Sequence, residues 1–260
     1  MTGAAPGIVT LLSDFGTDDP YVGIMKGVVL SEHPAATLVD VSHGVPAQNV
    51  AVGALYLEHS FVWFPQGSVH LAVVDPGVGS QRAALIARAG GHYFVAPDNG
   101  LLSRVAAQSP DFEARRAEPA TLGLAVRSRT FHGRDVFARL AARLARFPER
   151  FAELGAPHLA ASLSLEPLVD DGVTARGRVL AVDHFGNLIT DLPSRCIERP
   201  GARIELGGRS LRIVGTYSEA DAGECVALTS SFGLVEVAVR NGSAALVLGL
   251  GMGAEVVSRS

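Results

Sequence analysis

The sequence predicts an α/β protein: a parallel sheet covered by helices on both faces, followed by a small β-barrel or sandwich. Three observations predict it. Between residue 8 and residue 75 β-branched apolar runs alternate with helical stretches, the arrangement that joins parallel strands through crossover helices. After about residue 165 helical periodicity fades, and short apolar runs follow one another between Gly, Asn and Asp turns. The third observation is size: 260 residues at 48% hydrophobic composition suffice for one large core or two smaller ones.

The elements follow in order. Residues 8–12 form an apolar run that ends at Ser13-Asp14-Phe15-Gly16, a buried strand opening into a loop. Residues 21–32 read as a helix, with Val22, Met25, Val28, Val29 and Leu30 mostly on one face. Thr17-Asp18-Asp19-Pro20 supplies capping oxygens and a helix-starting proline. Residues 37–41 are strand-like, residues 50–59 helical, and residues 69–74 a third strand ending at Asp75. In such a sheet ligands sit at the strand C-termini, so Asp14, the Asp40-Val41-Ser42-His43 segment and Asp75 are expected along one edge. Residues 84–87 and 93–95 read as further strands, residues 100–107 as a short helix and residues 133–147 as a longer one. Residues 166–171 read as a linker. Beyond it, strands are expected at 178–182, 188–190, 203–206, 211–214, 225–228, 234–237 and 255–258.

Charge and cysteine content narrow the function. The 22 basic and 26 acidic residues give a formal charge of −4 without a run of either sign, so no basic face invites nucleic acid or an anionic membrane. The expected partner is a small molecule. Cys196 and Cys225 lack metal-knuckle spacing and read as ordinary thiols. No stretch approaches the ~18 apolar residues of a membrane span, and residues 1–7 lack the pattern of a secretion signal, so the expectation is a cytoplasmic protein.

Two segments carry the chemistry. Asp75-Pro76-Gly77-Val78-Gly79-Ser80-Gln81-Arg82 and Phe131-His132-Gly133-Arg134-Asp135 place an acid, two guanidiniums and an imidazole beside glycines. Asp75 and Arg82 can face one another across a turn free of bulky side chains. His132 starts a helix, where N-terminal amides favour a neutral ring, while Arg134 and Asp135 are placed to pair with each other. Asp14 is either a turn aspartate or a carboxylate that accepts both hydroxyls of a ribose.

Competing motifs fail on context. The Asp14-Phe15-Gly16 tripeptide lacks the glycine-rich lobe and catalytic loop of a kinase. No GxxxxGK[ST] loop, HExxH, DxDxDG or GxSxG spacing occurs, so a P-loop, a resident metal and a serine-hydrolase elbow are not expected. A methyltransferase reading lacks its glycine loop after the first strand.

Seven motifs in order along nearly the whole chain carry a resemblance. They are Ser13-Asp14-Phe15-Gly16 with Asp18-Asp19-Pro20-Tyr21-Val22-Gly23; Asp40-Val41-Ser42-His43; Val74-Asp75-Pro76-Gly77-Val78-Gly79 with Arg82; Ala96-Pro97-Asp98-Asn99-Gly100; Phe131-His132-Gly133-Arg134-Asp135; Asp183-His184-Phe185-Gly186-Asn187; and Ser231-Phe232-Gly233. Together they resemble the S-adenosyl-L-methionine (SAM) hydroxide adenosyltransferases, SAM hydrolases related to the fluorinating and chlorinating SAM enzymes.

The resemblance implies a three-layer α/β/α N-terminal domain with a mostly parallel sheet, residues 1–165, and a smaller C-terminal all-β barrel domain, residues 172–260. It implies hydrolysis of SAM to adenosine and L-methionine by attack of water on the ribose 5′ carbon, with no cofactor because SAM is the substrate. It implies a homotrimer with each active site between the N-terminal domain of one subunit and the C-terminal domain of the next. The family's catalytic Asp, Arg and His fall on Asp75, Arg82 and His132. Asp14 would hold the ribose hydroxyls, Asn187 the adenine region with Phe185 packed nearby, and Val239 the adenine through its backbone. Asp183 would take the methionine ammonium, with Ser231 and Glu236 at the amino-acid end.

The halogenase branch departs at the decisive positions. The fluorinating enzymes resemble one another in carrying Tyr in place of Asp75, Tyr-Ser in place of His132-Gly133, and Trp where this chain has Gln48. They also carry an extra segment after the third strand, whereas only about ten residues separate Arg82 from Tyr93. A carboxylate beside the nucleophile repels halide and accepts a hydrogen bond from water, so hydrolysis is favoured over halogenation. A non-catalytic SAM or adenosine sensor is the alternative from another class, separated by steady adenosine release. In the reaction Arg82 would stabilise a hydroxide-like oxygen, and Asp75 would orient the water or take its proton with help from His132.

Overall fold

A computed structural model of the chain describes residues 7–163 and 168–260. The chain divides into two compact units, Met1–Ser164 and Leu165–Ser260. The first carries β1 (Ile8–Ser13), α1 (Tyr21–Glu32), β2 (Thr37–Ser42), α2 (Val50–Phe61), β3 (Val69–Val73), β4 (Ala84–Ala89), β5 (His92–Pro97), α3 (Ser103–Gln108), β6 (Glu113–Ala117), a π-helical turn (Gly133–Phe137), α4 (Ala138–Arg146) and β7 (Ala156–Pro157). The sheet runs β2-β1-β3-β5-β4-β6-β7. Its first four strands are parallel, and the remaining pairs are antiparallel.

Side-chain alternation builds the two outer layers. Val69, Leu71 and Val73 of β3 join Val9 and Leu11 of β1 in a core with Met25 and Val29 of α1 and Leu140 and Leu144 of α4. His70, between them in sequence, points to the opposite face and meets the Phe61 ring at the end of α2. Helices therefore cover both faces of the sheet, and the interior strands β1 and β3 are almost wholly buried.

Several local expectations change. The N-cap of α1 is Pro20, and no side chain caps the helix, so the oxygens of residues 17–19 are not used there. Leu30 is exposed because the buried stripe is Val22, Met25 and Val29, and one residue on turns it about 100° away. The long helix expected at 133–147 opens as a wide π turn, closed by Ala138 N–H donating to the Gly133 carbonyl, before becoming α-helical. β6, Glu-Ala-Arg-Arg-Ala, gives no strand signal in sequence; it is held by pairing with β4 and by the Arg88–Glu113 ion pair across it.

The second unit holds β8 (Val169–Asp170), β9 (Thr174–Val182), β10 (Leu188–Pro193), β11 (Arg203–Leu206), β12 (Arg209–Ile213), β13 (Cys225–Thr229), β14 (Leu234–Val239), α5 (Ala244–Leu248) and β15 (Glu255–Arg259). The order β10-β14-β13-β12-β11-β15-β9 closes through β9–β10 pairing into a seven-stranded barrel, with β8 added on β9. Val235, Val237 and Val239 of β14 enter the barrel core with Ile204, Leu188 and Val256. Of the expected linker, residues 166 and 167 lie outside the described residues, while Val169 and Asp170 pair with Arg176 and Ala175. Among the described residues no helix is long and apolar enough to cross a membrane.

Candidate active site

The end of β3 leads into Val74 and Asp75, and the Val74 carbonyl accepts the Asn99 side-chain amide at 2.8 Å, tying this strand end to the segment after β5. The chain then turns back: Val78 N–H donates to the Asp75 carbonyl and Ser80 N–H to that of Gly77. Gly79 has φ +79°, and a Cβ there would lie 2.7 Å from the Arg129 carbonyl oxygen, so both conformation and space require glycine. The turn delivers Arg82 back onto Asp75.

Arg82 Nε donates to Asp75 Oδ1 at 2.9 Å, and Nη2 donates to Oδ2 of the same carboxylate. Nη2 also lies 3.0 Å from His132 Nδ1. The Asp75 and Arg82 side chains are 5% and 9% exposed, and the guanidinium stacks over Phe137 at 5.0 Å. Asp75, Arg82 and His132 thus form one contiguous cluster.

That geometry fixes the imidazole's tautomer. A guanidinium only donates, so Nδ1 of His132 accepts, and the neutral ring carries its proton on Nε2. Burial lowers the His132 pKa and the Arg82 charge lowers it further, against weaker pulls from Asp75 and Asp135. The ring is neutral at neutral pH, as the sequence suggested, but burial and Arg82 account for it rather than helix amides.

Next to His132, Asp135 is buried and accepts N–H bonds from Arg127 and Ser128 at 2.8 and 2.7 Å. Burial alone would raise its pKa, yet the Arg134 guanidinium and these N–H groups hold it below the usual carboxylate range. Arg134 donates to Asp135 at 2.7 Å and lies over the Phe131 ring. This pair anchors the loop that presents His132. Gly133 admits the neighbouring helix, since a Cβ there would meet Met25 Sδ at 2.9 Å.

Asp14 follows β1, and its Oδ2 accepts the Gln48 backbone N–H at 2.8 Å. The next residue, Phe15, packs with Tyr21 and Phe131, the Phe131 ring edge to face with both, with centroids 5.2 to 6.2 Å apart. Asp40, expected at a strand end, sits inside β2 opposite Leu11 and is paired with Lys26.

In the barrel unit, Asp183 closes a tight turn. Oδ1 accepts the Phe185 and Asn187 N–H groups, and Oδ2 accepts the Asn187 side-chain amide at 2.9 Å. Phe185 is 73% exposed. The Gly186 carbonyl accepts the Ala245 N–H and the Val239 carbonyl accepts that of Gly242, bringing this turn beside the end of β14. Glu236 is buried on β14 and accepts the Tyr217 hydroxyl at 2.6 Å. Burial raises the Glu236 pKa, the Tyr217 bond opposes the rise, and Asp183 adds to it. Asp183, Asn187, Glu236 and Val239 are therefore neighbours. Ser231 is exposed in the turn at the opposite end of the β13–β14 hairpin from Val239. Tyr217 was not singled out from the sequence; nothing in its local pattern links it to a carboxylate 19 residues away.

Comparison with known proteins adds to this geometry. Residues 9–155 match the sequence profile of the SAM hydroxide adenosyltransferase N-terminal domain, and residues 177–257 that of the C-terminal domain. The chain is 41% identical over 258 residues to the (R)-S-adenosyl-L-methionine hydrolase of Thermus thermophilus, covering 95% of this chain and 98% of the relative. It is 39% identical over 261 residues to the protein of the same name from Salinispora arenicola, covering 92% and 93%. Fluorinases match at 27–28% identity. A crystal structure of a conserved protein from Thermotoga maritima superposes with a TM-score of 0.89 at 32% identity, over 97% of this chain and 100% of that one.

Proposed function

The chain belongs to the SAM hydroxide adenosyltransferase family, and from that premise we propose that it hydrolyses SAM to adenosine and L-methionine, with Asp75, Arg82 and His132 handling the attacking water. The observation that carries the catalytic assignment is the shared guanidinium: Arg82 holds Asp75 through two hydrogen bonds and His132 through a third.

The leaving group needs no acid. Water oxygen bonds to the 5′ carbon, the C–S bond breaks, and its electron pair turns the sulfonium into a neutral thioether that leaves without protonation. Aligning the oxygen opposite the C–S bond and excluding competing water are the main demands. The proton that water loses needs an acceptor. His132 presents Nε2–H, so it donates to the water oxygen, and Asp75 is the group left to accept. Its carboxylate has lone pairs beyond those that Arg82 uses. Arg82 commits Nε and Nη2 to its two neighbours and acts on the oxygen through its charge.

For the substrate's other parts the family resemblance assigns Asp14 to the ribose hydroxyls, Asn187, Phe185 and the Val239 backbone to the adenine, Asp183 to the ammonium, and Ser231 and Glu236 to the amino-acid end. The proximity of Asp183 and Glu236, close enough for the former to raise the latter's pKa, suits a bound cation. A homotrimer in the cytoplasm working without a cofactor completes the reading.

The test is product analysis. Incubated with SAM, with and without chloride or fluoride, the protein is expected to release adenosine and L-methionine in every case. A 5′-halo-adenosine product would establish a halogenase, and tight binding without turnover a sensor.

A further inference from the structure

We propose that Ser13 and His43 are positioning residues for Asp14, holding its carboxylate where the ribose hydroxyls meet it; this rests on the reading of Asp14 given above. The observation is a continuous hydrogen-bond chain at the end of β1. Lys26 Nζ donates to Asp40 Oδ2 at 2.6 Å, His43 Nε2 lies 3.1 Å from Asp40 Oδ1, and His43 Nδ1 lies 2.7 Å from Ser13 Oγ. Ser13 Oγ in turn accepts the Phe15 N–H at 3.3 Å.

With His43 as a neutral imidazole, every proton in the chain has a place. A carboxylate accepts, so His43 Nε2 carries a proton and donates to Asp40, which leaves Nδ1 of the neutral ring as an acceptor. The Ser13 hydroxyl therefore donates to Nδ1, and its oxygen takes the Phe15 N–H. Ser13 is 0% exposed and His43 6%, so a hydroxyl proton without this partner would be buried and unsatisfied. The array has the composition of a nucleophilic Ser-His-Asp set. Its serine is sealed from solvent, however, which leaves it a structural anchor rather than a nucleophile.

The anchor bears on Asp14 because His43 grips the chain on both sides of it. Its side chain holds Ser13, one residue before, and its carbonyl accepts the Gly16 N–H at 2.9 Å, two residues after. Gly16 has φ +66°, in the left-handed region, and the chain bends at Asp14 and Phe15. The same β2–α2 connection supplies Gln48, held at φ +64°, whose N–H fixes one Asp14 oxygen. A carboxylate that must meet two hydroxyls has to be held to a fraction of an ångström.

A ligand cycle tests this. Dissociation constants for adenosine and for 2′,3′-dideoxyadenosine, which lacks both hydroxyls, are measured for the wild type and for Asp14→Asn, Ser13→Ala, His43→Leu and His43→Asn. Wild type is expected to prefer adenosine, and Asp14→Asn to lose that preference. Ser13→Ala and His43→Leu are expected to weaken adenosine about fivefold, the worth of one neutral hydrogen bond, with dideoxyadenosine changed less than about twofold. His43→Asn, whose Oδ1 stands where Nδ1 stood, is expected to restore adenosine binding; if Ser13→Ala does not fold, the two His43 variants decide. Equal weakening of both ligands, or unchanged adenosine binding, overturns the positioning role alone. A preference that survives Asp14→Asn overturns the reading of Asp14 and the proposal with it.

Discussion

Asp75 carries the sharpest prediction at the scale of single residues. Asp75→Asn preserves shape but cannot take a proton and no longer matches the Arg82 fork, so kcat is expected to fall by ~10² or more, in the range of a lost acid–base group, with a small change in KM. Steady-state adenosine release measures it, and wild-type turnover would remove Asp75 from the mechanism. His132 gives a pH prediction with a definite sign. Burial and Arg82 lower its pKa below 6.5, so the neutral, Nε2–H form persists as pH falls through 6.5 and is lost only at lower pH. Its ring protons, followed by NMR, should titrate below 6.5, and in Arg82→Gln, where a lowering charge is gone, at higher pH. Titration at or above 6.5 in the wild type would contradict the lowering by burial and Arg82.

The central strands carry a second titration, remote from the chemistry. β3 and β5 lie side by side and place His70 against His92, with ring nitrogens 3.2 Å apart, while Thr10 of β1 bonds the other His70 nitrogen at 2.8 Å. His70 is fully buried against Phe61, Phe64 and Phe94. Burial, helped by His92, pushes its pKa down to about 3. Between pH 6.5 and about 3 the unfolded chain therefore holds a proton here that the folded chain does not. Stability from this residue is present above 6.5 and declines as pH falls, by about 1.4 kcal/mol per pH unit. Urea unfolding of the wild type and His70→Gln across this window should differ in pH slope by about one proton; equal slopes would contradict the assignment.

For the whole molecule, the two units have their own cores, and the proposed site residues are divided between them: Asp14, Asp75, Arg82 and His132 in Met1–Ser164, and Asp183, Asn187, Glu236 and Val239 in Leu165–Ser260. The trimer proposed from the family resemblance predicts a solution mass three times that of the chain. Sedimentation equilibrium at assay concentration measures it, and a single-chain mass with full activity would rule out a requirement for assembly.

The sequence by itself determined the order of most strands and helices, the change to mainly β structure after about residue 165, and the residue types of the Asp75–Arg82–His132 cluster. These are legible because apolar periodicity, turn residues and short motifs are local. It did not reveal β6, whose charged residues are held by ladder pairing and a cross-strand ion pair, nor the π turn that follows His132. Tertiary structure alone decided which nitrogen of His132 carries its proton, because that depends on Arg82, 50 residues away in sequence. It likewise decided that Ser13 and His43 meet. Each nitrogen and oxygen takes its role from the donor or acceptor that folding brings opposite it, and that pairing is absent from the local sequence.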